Sequence, residues 1–499
     1  MPDYSTQATE QIRFPETEYK KHPTLKMRAL QWMGKKTVKV NEVSRPQITE
    51  PTDVIVKVTT STICGSDLHL YFGEFSGMHQ GDILGHEAVG IVDEVGANIK
   101  NVKKGDRVVV SAVISCGQCE YCERKEFSLC DMTNPSKEME KMYGHRTAAL
   151  FGYSHLTGGY AGGQSEYVRV PLGDQNLLVV ENANLKDDLL ILLADVACTG
   201  FHATECADVH FNDKVVIFGA GPVGLMAAMW SFYRGAQHVV LIDGEEYRLE
   251  KARQVFGNLN ELGGMKKADV ELWKGKSKNI LESDLQSLSL SSPFTSGSES
   301  TEKKIESKQE NIPSECFSGS KAFEQEIPKH VQFHTINFHD WASVDGGVVK
   351  AVQSLIPGGP DVCLDAVGFR FERGFLHTIE RSLGLETDTP QILNDCIICC
   401  KKGGRLGIVG DYLNRCNDFA VGPLMEKGLN WKGGQVFVQR YWKDLLRVFE
   451  TNQLNIDPTF IITHQVPLSQ ADKAYDMFAN YKDGSIKVLL KPGMDTINL

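Results

Sequence analysis

Between Met27 and Val110 apolar and polar residues alternate in short runs, TVKV, DVIVKVTTS, EAVGIVDEVG and DRVVVSAV, with turn residues between them. A period of two puts every second side chain on one face, so this stretch predicts a strand-rich, barrel-like domain. From about Lys186 the texture changes. Longer helical periods now alternate with short β-branched runs, KVVIFG, HVVLID, DVCLDAVG and RLGIVG. That alternation predicts an α/β fold with a doubly wound parallel sheet. Between Phe256 and Val331 the pattern breaks: SLSLSSPFTSGSESTEKKIESKQENIPSE holds few large apolar residues. Such a segment cannot bury enough surface to offset its ordering entropy, and it reads as an insertion in the sheet domain. After Asn430 mixed strands and helices return in PTFIITHQVPLS and GSIKVLLKPG. The expected organisation is therefore a polar arm over 1–26, a first domain over 27–188 and a sheet domain over 189–430. The low-complexity insertion spans about 258–330, and residues 431–499 return to the first domain.

A chain of 499 residues can bury a core in each of two or three such domains. The formal net charge of −11 argues against a nucleic-acid partner, because phosphate binding needs a basic face. No apolar run is long enough to span a bilayer, so no membrane partner is expected. The first residues, MPDYSTQATEQIRF, lack the apolar core of a signal peptide, which makes a cytoplasmic location the expectation.

That setting bears on the 13 cysteines, whose thiols should stay reduced there. Cys116, Cys119, Cys122 and Cys130 fall within one polar stretch over 115–131. A redox pair, an Fe–S cluster or plain surface thiols are alternatives. The spacing suits a tetrahedral Cys₄ structural zinc lobe better.

KVVIFGAGPVGLMAAMW places Gly219, Gly221 and Gly224 in a GxGxxG spacing, after a β-branched strand and at the start of a helical run. A second strand, HVVLID, ends in Asp243. Glycines in that context let a pyrophosphate approach backbone N–H groups at a helix N-terminus, and the acid accepts from ribose hydroxyls. A carboxylate there repels a 2′-phosphate, and Gly244, Glu245 and Glu246 bring no cation, so NAD is favoured over NADP. Arg248 completes the candidate cofactor set drawn from this stretch.

ICGSDLH and GDILGHEAVG bring Cys64, Ser66, Asp67, His69, His86 and Glu87 into a short span. A thiolate and an imidazole are two of the three protein ligands that a catalytic zinc with one open position requires. These two motifs, the cysteine lobe, GAGPVG and DVCLDAVG occur in an order that resembles the zinc-dependent medium-chain alcohol dehydrogenases, over roughly 27–256 and 331–495. The resemblance implies a GroES-like β-rich catalytic domain, a Rossmann domain and two zincs per chain. It matches Cys64 and His86 to catalytic zinc ligands, Glu87 to a carboxylate near that zinc, and Asp195 in LLADVACTGFHA to the third ligand. An aspartate there, with the long FRFERGFLHTIERSLGLETDTPQILNDCIICC segment, is similar to the glutathione-independent formaldehyde dehydrogenase branch. Thr199 and Val223 match positions that contact the nicotinamide, and Asp67 matches a residue orienting a zinc-bound imidazole. The same resemblance implies that the zinc acidifies an alcohol, and that Ser66 passes the proton through the cofactor ribose towards His69. The expected activity is hydride transfer between a small alcohol, or a hydrated aldehyde such as formaldehyde, and NAD, in a homo-dimer or tetramer. A polyol or amino-alcohol dehydrogenase and a non-catalytic zinc-binding scaffold stay open as alternatives.

Overall fold

The computed structural model describes residues 14–257, 259, 331–368, 388–451, 453 and 456–496. The insertion expected over 258–330 lies outside the described residues apart from Leu259, as does 369–387 of the long segment noted above.

The alternating N-terminal runs form a hairpin, Lys20–Gly34 against Thr37–Gln47, and a seven-stranded sheet. That sheet is built around Val54–Ile63, which pairs antiparallel with Ala88–Val95, Tyr167–Val170 and Lys487–Lys491. Arg107–Val110 and Leu177–Val179 extend it on one side and Ile462–Pro467 on the other. The N-terminal arm is shorter than its polarity suggested. Lys20–Lys26, largely exposed, is already strand, held by pairing to the edge at Ser44–Gln47 rather than by burial.

The second texture folds into a six-stranded, all-parallel sheet in the order Gln332–Asn337, His238–Asp243, Lys214–Phe218, Val362–Asp365, Arg405–Ile408, Asn430–Gly433. In sequence rank this is 3-2-1-4-5-6, so the order reverses between Lys214–Phe218 and Val362–Asp365. Residues 215–218 and 362–364 at its centre are apolar without a break and buried, as central strands of an all-parallel sheet are. The last strand reaches Gly433, beyond the boundary placed at 430, and the chain re-enters the first sheet at Ile462.

Two features of this arrangement position the site. The crevice at the C-terminal ends of parallel strands, where strand order reverses, is where such sheets bind ligands, and the glycine turn at 219–224 sits there. The returning strand Lys487–Lys491 pairs Val488–Leu490 with Ser61–Ile63, which places C-terminal residues directly behind Cys64. Among the described residues no single helix is long and apolar enough to cross a membrane.

Candidate active site

Cys64 caps a short helix, Gly65–Tyr71, at the end of the central strand Val54–Ile63. Its backbone N–H donates to Asp67 Oδ2 at 2.9 Å, and Gln164 Nε2 donates to the same oxygen at 3.1 Å. Asp67 Oδ1 then faces His86 Nδ1 at 3.3 Å. One buried carboxylate thus braces the cap with one oxygen and faces the imidazole with the other. Gly85, with φ of +97°, makes room for this: a Cβ there would stand 2.4 Å from the Gln164 side chain. On its other nitrogen His86 meets Asp195 Oδ2 at 3.6 Å. Asp195 caps the helix Val196–Cys206, and Thr199 Oγ1 donates to its second oxygen at 2.7 Å.

Cys64 Sγ, a His86 nitrogen and a Glu87 carboxylate oxygen all lie within 4.8 Å of one another. Burial opposes a charged His86, yet the Asp67 charge, with Asp195 and Cys64 close to the ring, pushes its pKa well above the usual value. Burial likewise opposes a charged Asp195, but His86 and Thr199 hold its pKa below the usual carboxylate range. Thiol, imidazole and carboxylate meet at one buried point, and Glu87 Oε1 is buried without a hydrogen-bond partner, as are Asp67 Oδ1 and His86 Nδ1. This donor set fits a zinc ion. The other Glu87 oxygen is ion-paired with Lys487, which is fully buried, and accepts from Thr62 Oγ1.

In the cysteine lobe Cys116 and Cys122 Sγ stand 3.8 Å apart, as do Cys119 and Cys130 Sγ. Zinc–sulfur bonds of about 2.3 Å in a tetrahedron put sulfurs roughly 3.8 Å apart, so the four thiols fit a zinc ion closely. Within the cluster, hydrogen bonds from its neighbours push the Cys116 thiol down to about 2, while the bond to Cys116 pushes Cys122 up to about 12.

A single cavity of about 1150 Å³ joins this centre to the glycine turn. Cys64, Ser66, His69, His86, Asp195 and Thr199 line one part, and Gly219, Gly221, Val223, Asp243 and Arg248 line another. Asp67 and Glu87 stand behind this wall. Gly224 stands behind it too and serves packing: a Cβ there would lie 1.8 Å from Gly219 O, so the helix Pro222–Tyr233 can approach the turn only with glycine at that position. The cradle leaves backbone room for a dinucleotide pyrophosphate, which it fits. Asp243 Oδ2 accepts from Ala220 N at 2.6 Å and lies 3.6 Å from Arg248 Nη1. A cation, Arg248, therefore does stand beside the acid, two residues beyond Glu246.

Ser66 Oγ donates to Asp411 Oδ2 at 3.1 Å, and His69 Nε2 lies 3.6 Å from the same oxygen. His69 Nδ1 pairs with Glu74 Oε2 at 2.8 Å. Asp411, Glu74, Lys487 and Gln164 were absent from the sequence reading. Asp411 carried a signal, since it follows a parallel strand at the sheet's C-terminal edge. Lys487 carried another, as a charge inside the apolar run SIKVLL.

The alcohol dehydrogenase GroES-like domain family matches residues 50–180. A zinc-type alcohol dehydrogenase-like protein of Schizosaccharomyces pombe is 33% identical over 463 residues, spanning 93% of this chain and 90% of that protein. A glutathione-independent formaldehyde dehydrogenase of Bacillus subtilis is 38% identical over 248 residues, which cover 46% of this chain and 58% of that protein. Among solved structures, an alcohol dehydrogenase from Thermus sp. ATN1 superposes with a TM-score of 0.64 at 26% identity, over 93% of this chain and 99% of that one.

Proposed function

The chain belongs to the zinc-type alcohol dehydrogenases, and from that premise we propose that it transfers a hydride between a small alcohol, or a hydrated aldehyde such as formaldehyde, and NAD. The observation that carries this reading is that Cys64, His86 and Asp195 line the same cavity as the glycine turn and Asp243, with Asp195 Oδ2 3.6 Å from His86 Nε2 and the donor atoms of Cys64, His86 and Glu87 within 4.8 Å of one another. Those three residues would hold a catalytic zinc, with Glu87 beside it, and Cys116, Cys119, Cys122 and Cys130 would hold a structural one. When bound, the zinc supplies a Lewis acid that lowers the pKa of an alcohol, and NAD supplies the hydride acceptor.

The chain's own residues do the rest. Asp67 fixes the tautomer and orientation of His86 from behind. Ser66 takes the proton of the substrate hydroxyl as it gives its own to Asp411, and His69 stands next in line, steadied by Glu74. Val223 and Thr199 shape the place for the nicotinamide, and Asp243 receives the adenosine ribose. The Asp243 carboxylate, an acceptor for ribose hydroxyls, supports NAD, while Arg248 beside it offsets part of its charge and is the group a 2′-phosphate would meet. Phe75 and Tyr153, packed edge to face with centroids 5.4 Å apart, stand in the cavity near His86. Such a wall suits a small alcohol better than a polyol or amino alcohol. The cysteine lobe needs reduced thiols, which favours the cytoplasm. The exposed edge strand Asn430–Gly433, with Val421 and Met425 exposed at 63% and 71%, supports assembly into a homo-dimer or tetramer.

The test is a panel of ethanol, formaldehyde, sorbitol and threonine with zinc-replete protein and either NAD or NADP, followed by nicotinamide absorbance. Turnover of ethanol or formaldehyde with NAD is expected. Turnover only of sorbitol or threonine would move the assignment to the polyol or amino-alcohol enzymes, and none at all would leave a scaffold.

A further inference from the structure

Outside the sites already described, the donor atoms of His79, Asp82 and His155 lie within 4.8 Å of one another at the surface. His155 Nε2 stands 3.2 Å from Asp82 Oδ1, and the two imidazole rings lie 4.0 Å apart between centroids at an interplanar angle of 34°. Ligands on one tetrahedral zinc, at about 2.0–2.1 Å from the ion, are spaced by roughly 3.3 Å. The His155–Asp82 edge has that length already, and the two rings, 4.0 Å apart between centroids, would open to about 5 Å as their nitrogens turn onto one ion.

The three side chains sit on a frame that is fixed from behind. Asp82 N donates to His79 O at 3.1 Å, and His79 N donates to Asp82 Oδ2 at 2.7 Å, closing the turn at both ends. The Asp82 carbonyl accepts from Trp32 N at 2.8 Å. His155 N donates to Gly77 O at 2.8 Å, which ties the second segment to the first. Behind the His155 ring, Gly159 leaves the space the imidazole occupies: a Cβ there would stand 2.4 Å from Nδ1. A fixed frame lowers the ordering cost of binding, which is what separates a metal site from a chance meeting of side chains.

We propose that His79, Asp82 and His155 form a third, exchangeable site for a divalent transition metal such as zinc. Two imidazoles and one carboxylate suit zinc, cobalt, nickel or copper, whereas calcium and magnesium prefer an all-oxygen shell. His79 is exposed, so the remaining coordination positions face solvent and the ion can come and go. An ion here pins the segment after Phe75 to the one after Tyr153, and both rings line the substrate cavity. Occupancy of this site therefore stiffens the substrate wall without touching the reacting centre.

The test compares wild type with a His79→Ala/His155→Ala variant, both as purified with their resident metals, in equilibrium dialysis against micromolar free zinc. Wild type is expected to hold one zinc more than the variant, and zinc is expected to change its KM for the alcohol while leaving the variant's unchanged. Copper(II) added to wild type should give an electron paramagnetic resonance signal split by two nitrogens, reduced to one in His79→Ala. Equal zinc content in the two proteins, or a copper signal without nitrogen coupling in wild type, overturns the site. An extra zinc with an unaltered KM overturns the clamp. Because the readout is a difference between two proteins, it stands whether or not Cys64, His86 and Asp195 bind a metal.

Discussion

Lys487 and Glu87 form an ion pair from which water is excluded, with side chains 0% and 1% exposed. Burial works to lower the Lys487 pKa, but Glu87, Cys64 and Asp195 together raise it, so the cation is held. Removing one partner strands the other charge in the core, at a cost of about 3–5 kcal/mol. Lys487→Met should lower the stability to urea by that amount, and Lys487→Met combined with Glu87→Gln should recover most of it. A single variant within about 1 kcal/mol of wild type would mean that Glu87 finds another partner. Ser66 makes the opposite case, because its hydroxyl touches the proton path and no metal ligand. Ser66→Ala should lose roughly 10²-fold or more in kcat at unchanged zinc content, the usual size of a proton-transfer contribution. Full turnover would remove Ser66 from the path. At this scale the sequence was legible where chemistry is local. Cys64, Ser66, Asp67 and His69 lie within six consecutive residues on one short helix and its cap, and His86 and Glu87 follow a glycine. Asp411 and Lys487 were not, because their contacts to Ser66 and Glu87 close over separations of 345 and 400 residues.

The helix Val196–Cys206 joins the reacting centre to the sheet domain, with Asp195 at its cap and His202 buried near its far end. His202 Nδ1 meets Tyr441 Oη at 2.8 Å, and burial, helped by Lys432 and Arg440, pushes its pKa down to about 3. The unfolded ring titrates near 6.5, so between these values the unfolded chain binds a proton that the native chain refuses. Stability is therefore complete above about pH 6.5 and falls as the pH drops towards 3, by about 2 kcal/mol at pH 5. Urea midpoints at pH 7.5 and 5 should show that loss in wild type and a smaller one in His202→Asn. Equal losses in the two would place the proton elsewhere. Elements with a strong period were legible: the β-branched runs became the parallel strands, and the turn between two of them became the glycine cradle. Lys20–Lys26 was not, because an exposed edge strand held by backbone pairing leaves no apolar alternation to read.

At the scale of the chain, the two large sheets and the cavity beside Cys64 follow from the chain leaving the first domain, winding the parallel sheet and coming back with Ile462–Pro467 and Lys487–Lys491. The doubly wound pattern was visible in the sequence, but what the return strand supports at the reacting centre was not, since that depends on register. The parallel sheet ends in the exposed strand Asn430–Gly433, beside which Val421 and Met425 face solvent. Light scattering should therefore find a dimer or tetramer, and Val421→Glu with Met425→Glu should shift it towards monomer while each chain keeps its zinc. A wild-type monomer would remove that surface from the account. The central claim is narrower: one ion held by Cys64, His86 and Asp195, open to the cavity that takes the coenzyme. Anomalous diffraction at the zinc edge from crystals of the purified protein tests it most directly. The account predicts a peak bonded to Cys64 Sγ, His86 Nε2 and Asp195, separate from the one among the four lobe cysteines; a lobe peak with no density between those three side chains would contradict it.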